Sequence, residues 1–175
     1  RRCFGDVDSL AALVLVVPAN RITVPLGLHG AGQTTAIRMI TGALDAHAGM
    51  VRTFGLDPSV HGEEVRTRCG VVSAKPALYD RLDGHAHRAY AAELYGLGRG
   101  PAVDETIRAA AARFGIEQAL DHRVGGFSTG MKTRLALARS ILHRPDLLLF
   151  DEPTSGLDPE SSHAVLEMIR EMTDN

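Results

Sequence analysis

Cysteine is scarce in this sequence. Cys3 and Cys69 are the only two, which is too few for a disulfide framework and fits a reducing compartment. Long apolar runs are missing as well. The longest, Leu10 to Pro18, is too short to cross a bilayer, and no signal peptide precedes it, so the chain reads as soluble. Nor is there an excess of charge of one sign. Nineteen Lys and Arg against 21 Asp and Glu leave a formal charge of −2, and no basic surface argues for nucleic acid as a partner. The eight histidines show no ligand-spaced grouping, since His85 and His87 at i, i+2 do not share a helix face. What the chain does have is size and aliphatic content. At 175 residues and 45% hydrophobic it has the length of one domain and the means to bury a core.

One stretch carries a chemical signal from the start. Gly27 to Thr35 reads Gly-Leu-His-Gly-Ala-Gly-Gln-Thr-Thr, holding the phosphate-loop spacing G-x-x-x-x-G-K-[ST] with Gln33 where the lysine belongs. Leu10 to Val17 predicts a buried strand and Arg21 to Leu26 the strand feeding the loop. Ala36 to Ile40 predicts a helix ending near Gly42. Consecutive backbone N–H groups of such a loop converge on phosphate oxygens at a helix N-terminus, and Thr34 would ligate Mg²⁺. An ordinary Gly-rich turn is the alternative. Pro25 is awkward in the feeding strand, because proline cannot donate to a ladder.

Further along, Met50 to Phe54 predicts a short strand, Gly55 with Asp57-Pro58 a turn, and Glu63 to Arg68 a charged turn leading into a strand at Gly70-Val71-Val72. Ala86 to Leu97 and Val103 to Phe114 predict helices, the second with Val103, Ile107, Ala110 and Phe114 on one stripe. Ser128 is a good N-cap for a helix running to about His143, and Thr129-Gly130 offers open backbone suited to an anion. Leu147 to Phe150 lacks alternation and predicts a strand buried on both faces. Asp151 and Glu152 then fall at the strand end where α/β folds place ligands. Asp158-Pro159 opens a last helix with Val165, Ile169 and Met172 on its inner face.

Taken together, four motifs in one order resemble the nucleotide-binding domain of ATP-binding cassette (ABC) transporters. Gly27 to Thr35 is similar to Walker A, Phe127-Ser128-Thr129-Gly130-Met131 to the signature sequence, Leu147 to Glu152 to Walker B, and Ser155-Gly156-Leu157-Asp158 to the D-loop. The signature variant and Phe54-Gly55-Leu56-Asp57-Pro58 are most similar to bacterial drug and antibiotic exporters. The resemblance implies an α/β P-loop NTPase core with a mainly parallel sheet, an antiparallel β edge near the N-terminus and an inserted helical subdomain. It divides a single domain into residues 1–80, 81–144 and 145–175.

For the site, the resemblance implies ATP and Mg²⁺ as ligands. Phe4 would stack on adenine, although the residue alone reads equally as a core side chain. Gly27, Gly30, Ala31, Gly32, Gln33, Thr34 and Thr35 would cradle the phosphates, with Gln33 in the catalytic lysine's place. Thr34 and Asp151 would hold Mg²⁺, and Glu152 would polarise the attacking water. Ser128, Thr129, Gly130 and Met131 would cap the nucleotide of a second nucleotide-binding domain, with Asp158 at that interface. Transmembrane permease subunits would complete the exporter and hold the chain on the inner face of the cell membrane.

Departures from the pattern concentrate in the first half. Besides Gln33, Leu28 and His29 replace the usual proline and asparagine or serine, Asn20 a turn glycine, and Ala74 the expected Q-loop glutamine. The family's switch histidine and opening strand are not in the sequence, which implies truncation at both ends. Losing a charged hydrogen bond at Gln33, worth roughly 1.5–3 kcal/mol, weakens ATP binding by about one to two decades. Hydrolysis suffers more. The alternatives are a catalytically degenerate ABC domain that partners an active cassette, and a non-transport ABC protein.

Overall fold

The computed structural model describes residues 2–4, 7–10, 13–25 and 32–172. They form two compact units, residues 1–69 and 70–174, each with its own packing.

In the first unit the chain opens as an antiparallel pair, β1 (Arg2–Phe4) and β2 (Val7–Leu10), in the register Arg2↔Leu10, Cys3↔Asp8 and Phe4↔Val7. This is the antiparallel edge that the sequence implies. The strand expected over Leu10 to Val17 is displaced. β2 ends at Leu10, and residues 13–17 carry no regular structure, with Val14 96% exposed. Apolar character alone does not make a strand; a ladder partner is also needed, and among the described residues none pairs with this segment. Residues 21–25 are likewise irregular and exposed, as Pro25 would favour.

Helix α1 (Gln33–Ile40) follows and ends at Thr41, with Gly42 just beyond in the left-handed region at φ +67°. A Cβ on Gly42 would lie 2.2 Å from the Pro58 carbonyl oxygen, so conformation and space both require glycine. In place of the strand expected at Met50 to Phe54, the chain makes a tight turn. Thr53 and Leu56 exchange both backbone bonds at 3.0 Å around Phe54 (φ 55°) and Gly55 (φ 80°). Two successive left-handed residues close a two-residue turn and leave no length for a strand. Thr53 Oγ1 donates to the Ile40 carbonyl at 2.8 Å, fixing this turn to the end of α1. The charged turn expected at Glu63 to Arg68 is a short helix, α2 (Gly62–Thr67), with Glu63 and Glu64 in its first turn where the dipole favours them.

In the second unit, β3 (Cys69–Ser73) and β4 (Leu147–Asp151) pair in a small parallel sheet. β4 is half-buried along its whole length, not enclosed on both faces as expected. Its apolar run reads as central, but among the described residues its ladder partner is β3 alone. The helices α3 (Gly84–Leu94), α4 (Pro101–Arg113), α5 (Thr129–Ser140) and α6 (Pro159–Glu171) supply the core. The expected α4 stripe is there: Ile107 and Phe114 are fully buried, Ala110 nearly so, and Val103 packs against them. Leu135 and Leu137 of α5 and Val165 of α6 close the cluster, with Ile169 and Met172 on the inner side of α6 as the period predicts. At about 25 cal/mol per Å² of apolar surface, full burial of each large aliphatic side chain stabilises the fold by about 1.5–3 kcal/mol.

Candidate functional site

The phosphate-loop half lies in the first unit. Phe4 is in β1, but its side chain, like Gly27, Gly30 and Ala31, lies outside the described residues. Gly32 is the N-cap of α1 at φ 87°, ψ 15°, and its carbonyl accepts from Ala36 N–H at 2.8 Å. That left-handed conformation suits glycine and puts Gln33, Thr34 and Thr35 in the first helical turn. As a glycine, the N-cap residue supplies no side-chain cap, and no acidic residue stands in the first turn. The positive end of the helix dipole is therefore not offset by an acidic side chain in that turn, as an anion site requires. Thr34 is exposed and Thr35 is buried. Gln33 behaves differently from a lysine. Its Nε2 donates one of its two N–H groups to the Pro25 carbonyl at 3.0 Å, on the segment that precedes the loop.

The other motifs lie in the second unit. Ser128 caps α5 as expected, its Oγ accepting from Met131 N–H at 3.2 Å while its carbonyl accepts from Lys132 N–H at 2.9 Å. Ser128 and Thr129 are exposed, and Gly130 and Met131 are partly so. A Cβ on Gly130 would meet nothing closer than Ser161 Oγ at 3.7 Å, an ordinary contact. Packing within the chain does not call for glycine there. The depression beside this helix start has a volume of about 390 Å³ and is lined by His122, Arg123, Gly126, Phe127 and Met131. Sequence reasoning assigns no role to His122 or Arg123. No local pattern marks them; only the fold brings them beside Met131.

Asp151 is the last residue of β4, and Glu152 turns the chain at φ 50°. A left-handed glutamate costs about 1–2 kcal/mol, strain of a kind that gathers at functional sites. The turn is closed by Ser155 N–H donating to the Glu152 carbonyl at 3.0 Å, and both carboxylates are half-buried. Asp158 caps α6, its Oδ1 accepting from Ser161 N–H at 2.9 Å. Hydrogen bonds from Ser161 hold its carboxyl below the usual carboxylate range. Ala74 follows the last residue of β3 and has no side-chain oxygen to offer a metal or partner. Among the described residues, no three His, Cys, Asp or Glu side chains cluster as a metal site, and no helix is long and apolar enough to cross a membrane.

Comparison with known proteins identifies the family and the fold. The ABC transporter family profile matches residues 10–155. The ABC transporter ATP-binding protein NatA of Bacillus subtilis is 37% identical over 95% of this chain and 68% of its own length. The bacitracin transport ATP-binding protein BcrA of Bacillus licheniformis is 35% identical over 90% of the chain and 50% of its own length. The daunorubicin/doxorubicin resistance ATP-binding protein DrrA of Streptomyces peucetius is 33% identical over 99% and 52%. The chain thus spans between half and about two thirds of these relatives. Among solved structures, cbiO1 from Clostridium perfringens, part of the ABC transporter complex cbiONQ, superposes with a TM-score of 0.82 at 24% identity, covering 95% of this chain and 67% of that one. An ATP binding subunit of an ABC transporter superposes with a TM-score of 0.71 at 31% identity, covering 85% and 62%. The fold is that of the P-loop ABC ATPases, and the chain belongs to the ABC transporter family.

Proposed function

We propose that this chain is the ATP-binding subunit of a bacterial exporter of the drug or antibiotic type, in which nucleotide is held weakly and hydrolysis is nearly lost. The observation that carries the second clause is the Gln33 amide donating to the Pro25 carbonyl, a neutral group turned onto the segment before the loop where a cation would serve phosphate. The first clause is supported by family membership and by relatives whose names record bacitracin transport and daunorubicin/doxorubicin resistance.

The residues fit a nucleoside triphosphate in part. The start of α1, led by a left-handed glycine and without an acidic residue in its first turn, suits phosphate oxygens. Thr34 offers a hydroxyl and Asp151 a carboxylate, the hard oxygen donors that Mg²⁺ takes. When bound, Mg²⁺ supplies charge neutralisation along the phosphate chain. Glu152 is assigned as the acceptor that orients water, and its strained backbone is consistent with an imposed position. Phe4 is assigned to the adenine ring, and Gly27, Gly30, Ala31, Gly32 and Thr35 to the phosphates. Gln33 lacks the fixed charge that commonly contributes about a hundred- to thousandfold in rate, and Ala74 removes a further acceptor.

Ser128, Thr129, Gly130 and Met131 are assigned to the nucleotide of a second nucleotide-binding domain, with Asp158 facing that partner. Glycine in a helix costs about 0.5–1 kcal/mol relative to alanine, and the Gly130 site has room for a Cβ. Close approach by a partner's ligand is a reason for glycine that internal packing does not give. The same observation favours a second reading, in which the chain completes the site of an active companion cassette. Permease subunits would set the substrate and hold the assembly at the cytoplasmic face of the membrane. ATPase activity measured alone and in a mixture with an active homologue separates the readings, since only the second expects activity to rise above the homologue's own. Absence of any ATP binding at millimolar nucleotide would sink both.

A further inference from the structure

The segment between β3 and α3 has no regular structure, yet it is held at several points. Tyr79 N–H donates to His87 Nε2 at 2.6 Å. From α5, Arg139 Nη1 donates to the Ala77 carbonyl at 3.0 Å, and Lys132 Nζ, two helical turns earlier on the same face, meets Asp80 Oδ1 at 3.0 Å. From the turn before α5, Gly125 N–H and Val124 N–H donate to the carbonyls of Asp80 and Leu82 at 3.0 and 2.9 Å. Asp83 at the end of the segment caps α3, and of the bonds described for residues 77–80 the one from Tyr79 leads to α3, through His87, while the others lead to α5 and its approach. Of these ties, the imidazole is the one whose ordinary titration falls near neutral pH.

We infer that His87 is a proton-released latch: the neutral ring holds the Tyr79 amide, and with it residues 77–80, onto α3, and the protonated ring lets that segment go. The geometry leaves the ring no other way to take a proton. His87 is 1% exposed, its Nε2 lone pair is occupied by the Tyr79 N–H, and its Nδ1 is buried with no hydrogen-bond partner among the described residues. A neutral ring accepting at Nε2 carries its proton on Nδ1. Adding a proton at Nε2 would set a donor against a donor.

The surroundings oppose a buried cation on balance, although the backbone of His87 itself favours the charged ring. Arg139 faces the ring from α5, and Arg88, also buried, is its neighbour on α3. Tyr79 stacks on the ring at 5.5 Å, and Tyr90 meets Tyr79 edge-on at 6.1 Å. Tyr95 stacks against His143 further along. The nearby carboxylates are engaged elsewhere, with Asp83 Oδ1 accepting from Ala86 N–H at 2.6 Å and Asp80 paired with Lys132. Burial first, and Arg139 second, hold the His87 pKa below its ordinary value of 6.5. A group with a depressed folded pKa contributes its stability above the unfolded value. The latch is therefore complete above about pH 6.5 and is lost as pH falls through that value toward the lowered one.

Hydrogen exchange of the Tyr79 amide, followed by NMR from about pH 7.5 to 5.5 and corrected for intrinsic rates, tests the latch without nucleotide. Its outcome is therefore independent of the ATP-binding reading. For a ring that must lose its latch to protonate, the opening constant rises about tenfold over those two units, while amides of α4 stay level. His87→Gln keeps an acceptor at every pH and is expected to flatten the profile. A level wild-type profile, or a glutamine variant with the same slope, overturns the inference. Should the glutamine variant not fold, the wild-type ring resonances decide: titration of His87 at or above its ordinary pKa in the native protein refutes the latch.

Discussion

Two helix starts carry the phosphate-directed motifs, and they are built differently. α5 begins with a serine whose hydroxyl caps Met131 N–H. α1 begins with a left-handed glycine, has no side-chain cap, and is followed by a glutamine whose amide is bonded back to Pro25. Each presents the positive end of a helix dipole with no acidic side chain in its first turn, the main-chain part of what an anion site requires. α1 differs in carrying the neutral Gln33 where the motif it resembles has a lysine. The main-chain and side-chain contributions to phosphate recognition are separable, and Gln33→Lys is the change that would separate them here.

The largest expected effect tests whether the second unit's chemistry is intact. In a Gln33→Lys background, Glu152→Gln is expected to lower the restored ATP turnover by about 10²–10⁴-fold, as loss of a positioned general base does. Single-turnover hydrolysis measures it. An unchanged rate would remove Glu152 from the chemistry and break the contrast between a damaged first half and a sound second half.

Arg88 tests the contrast from the other side, because the second unit carries a misfit of its own. The residue is completely buried, Nη1 donates to the Ile107 carbonyl at 3.0 Å, and Nε and Nη2 have no hydrogen-bond partner among the described residues. Burial pushes its pKa down to about 10. Replacement by a similar-sized apolar residue, Arg88→Leu, is expected to stabilise the protein by about 1–4 kcal/mol. For a chain of this length each kcal/mol raises Tm by about 2–4 °C, which calorimetry reads. A lower Tm would show that the packing of α3 on α4 needs the arginine stem. A smaller effect sharpens the comparison of the helix starts. Ser128→Ala removes the α5 cap and is expected to cost about 1 kcal/mol in urea unfolding, with no change in nucleotide affinity of the chain alone.

What could be read from the sequence was what short-range chemistry determines. Ser128 and Asp158-Pro159 announce helix starts because a cap and its N–H partner lie three residues apart, and the α4 stripe follows from a period of 3.6. The first 60 residues were harder. Leu13 to Val17 looks like a buried strand by composition, but strand pairing depends on a distant partner that composition does not name. The turn at Phe54-Gly55 displaced a predicted strand because two left-handed residues closed it locally. At the site, the order and spacing of the four motifs were legible. The bond from Gln33 to Pro25 was not, nor was the tie from Arg139 to Ala77 across 62 positions, since each depends on how the loop is laid down.

The central proposal is that Gln33 is the departure that weakens ATP binding and hydrolysis most, and ATP affinity and hydrolysis measured side by side for the wild type and Gln33→Lys test it most directly. The expected result is an affinity gain of about one to two decades from the restored charged contact and a rise in turnover of about a hundred- to thousandfold. Equal affinity and equal turnover in the two proteins would contradict it.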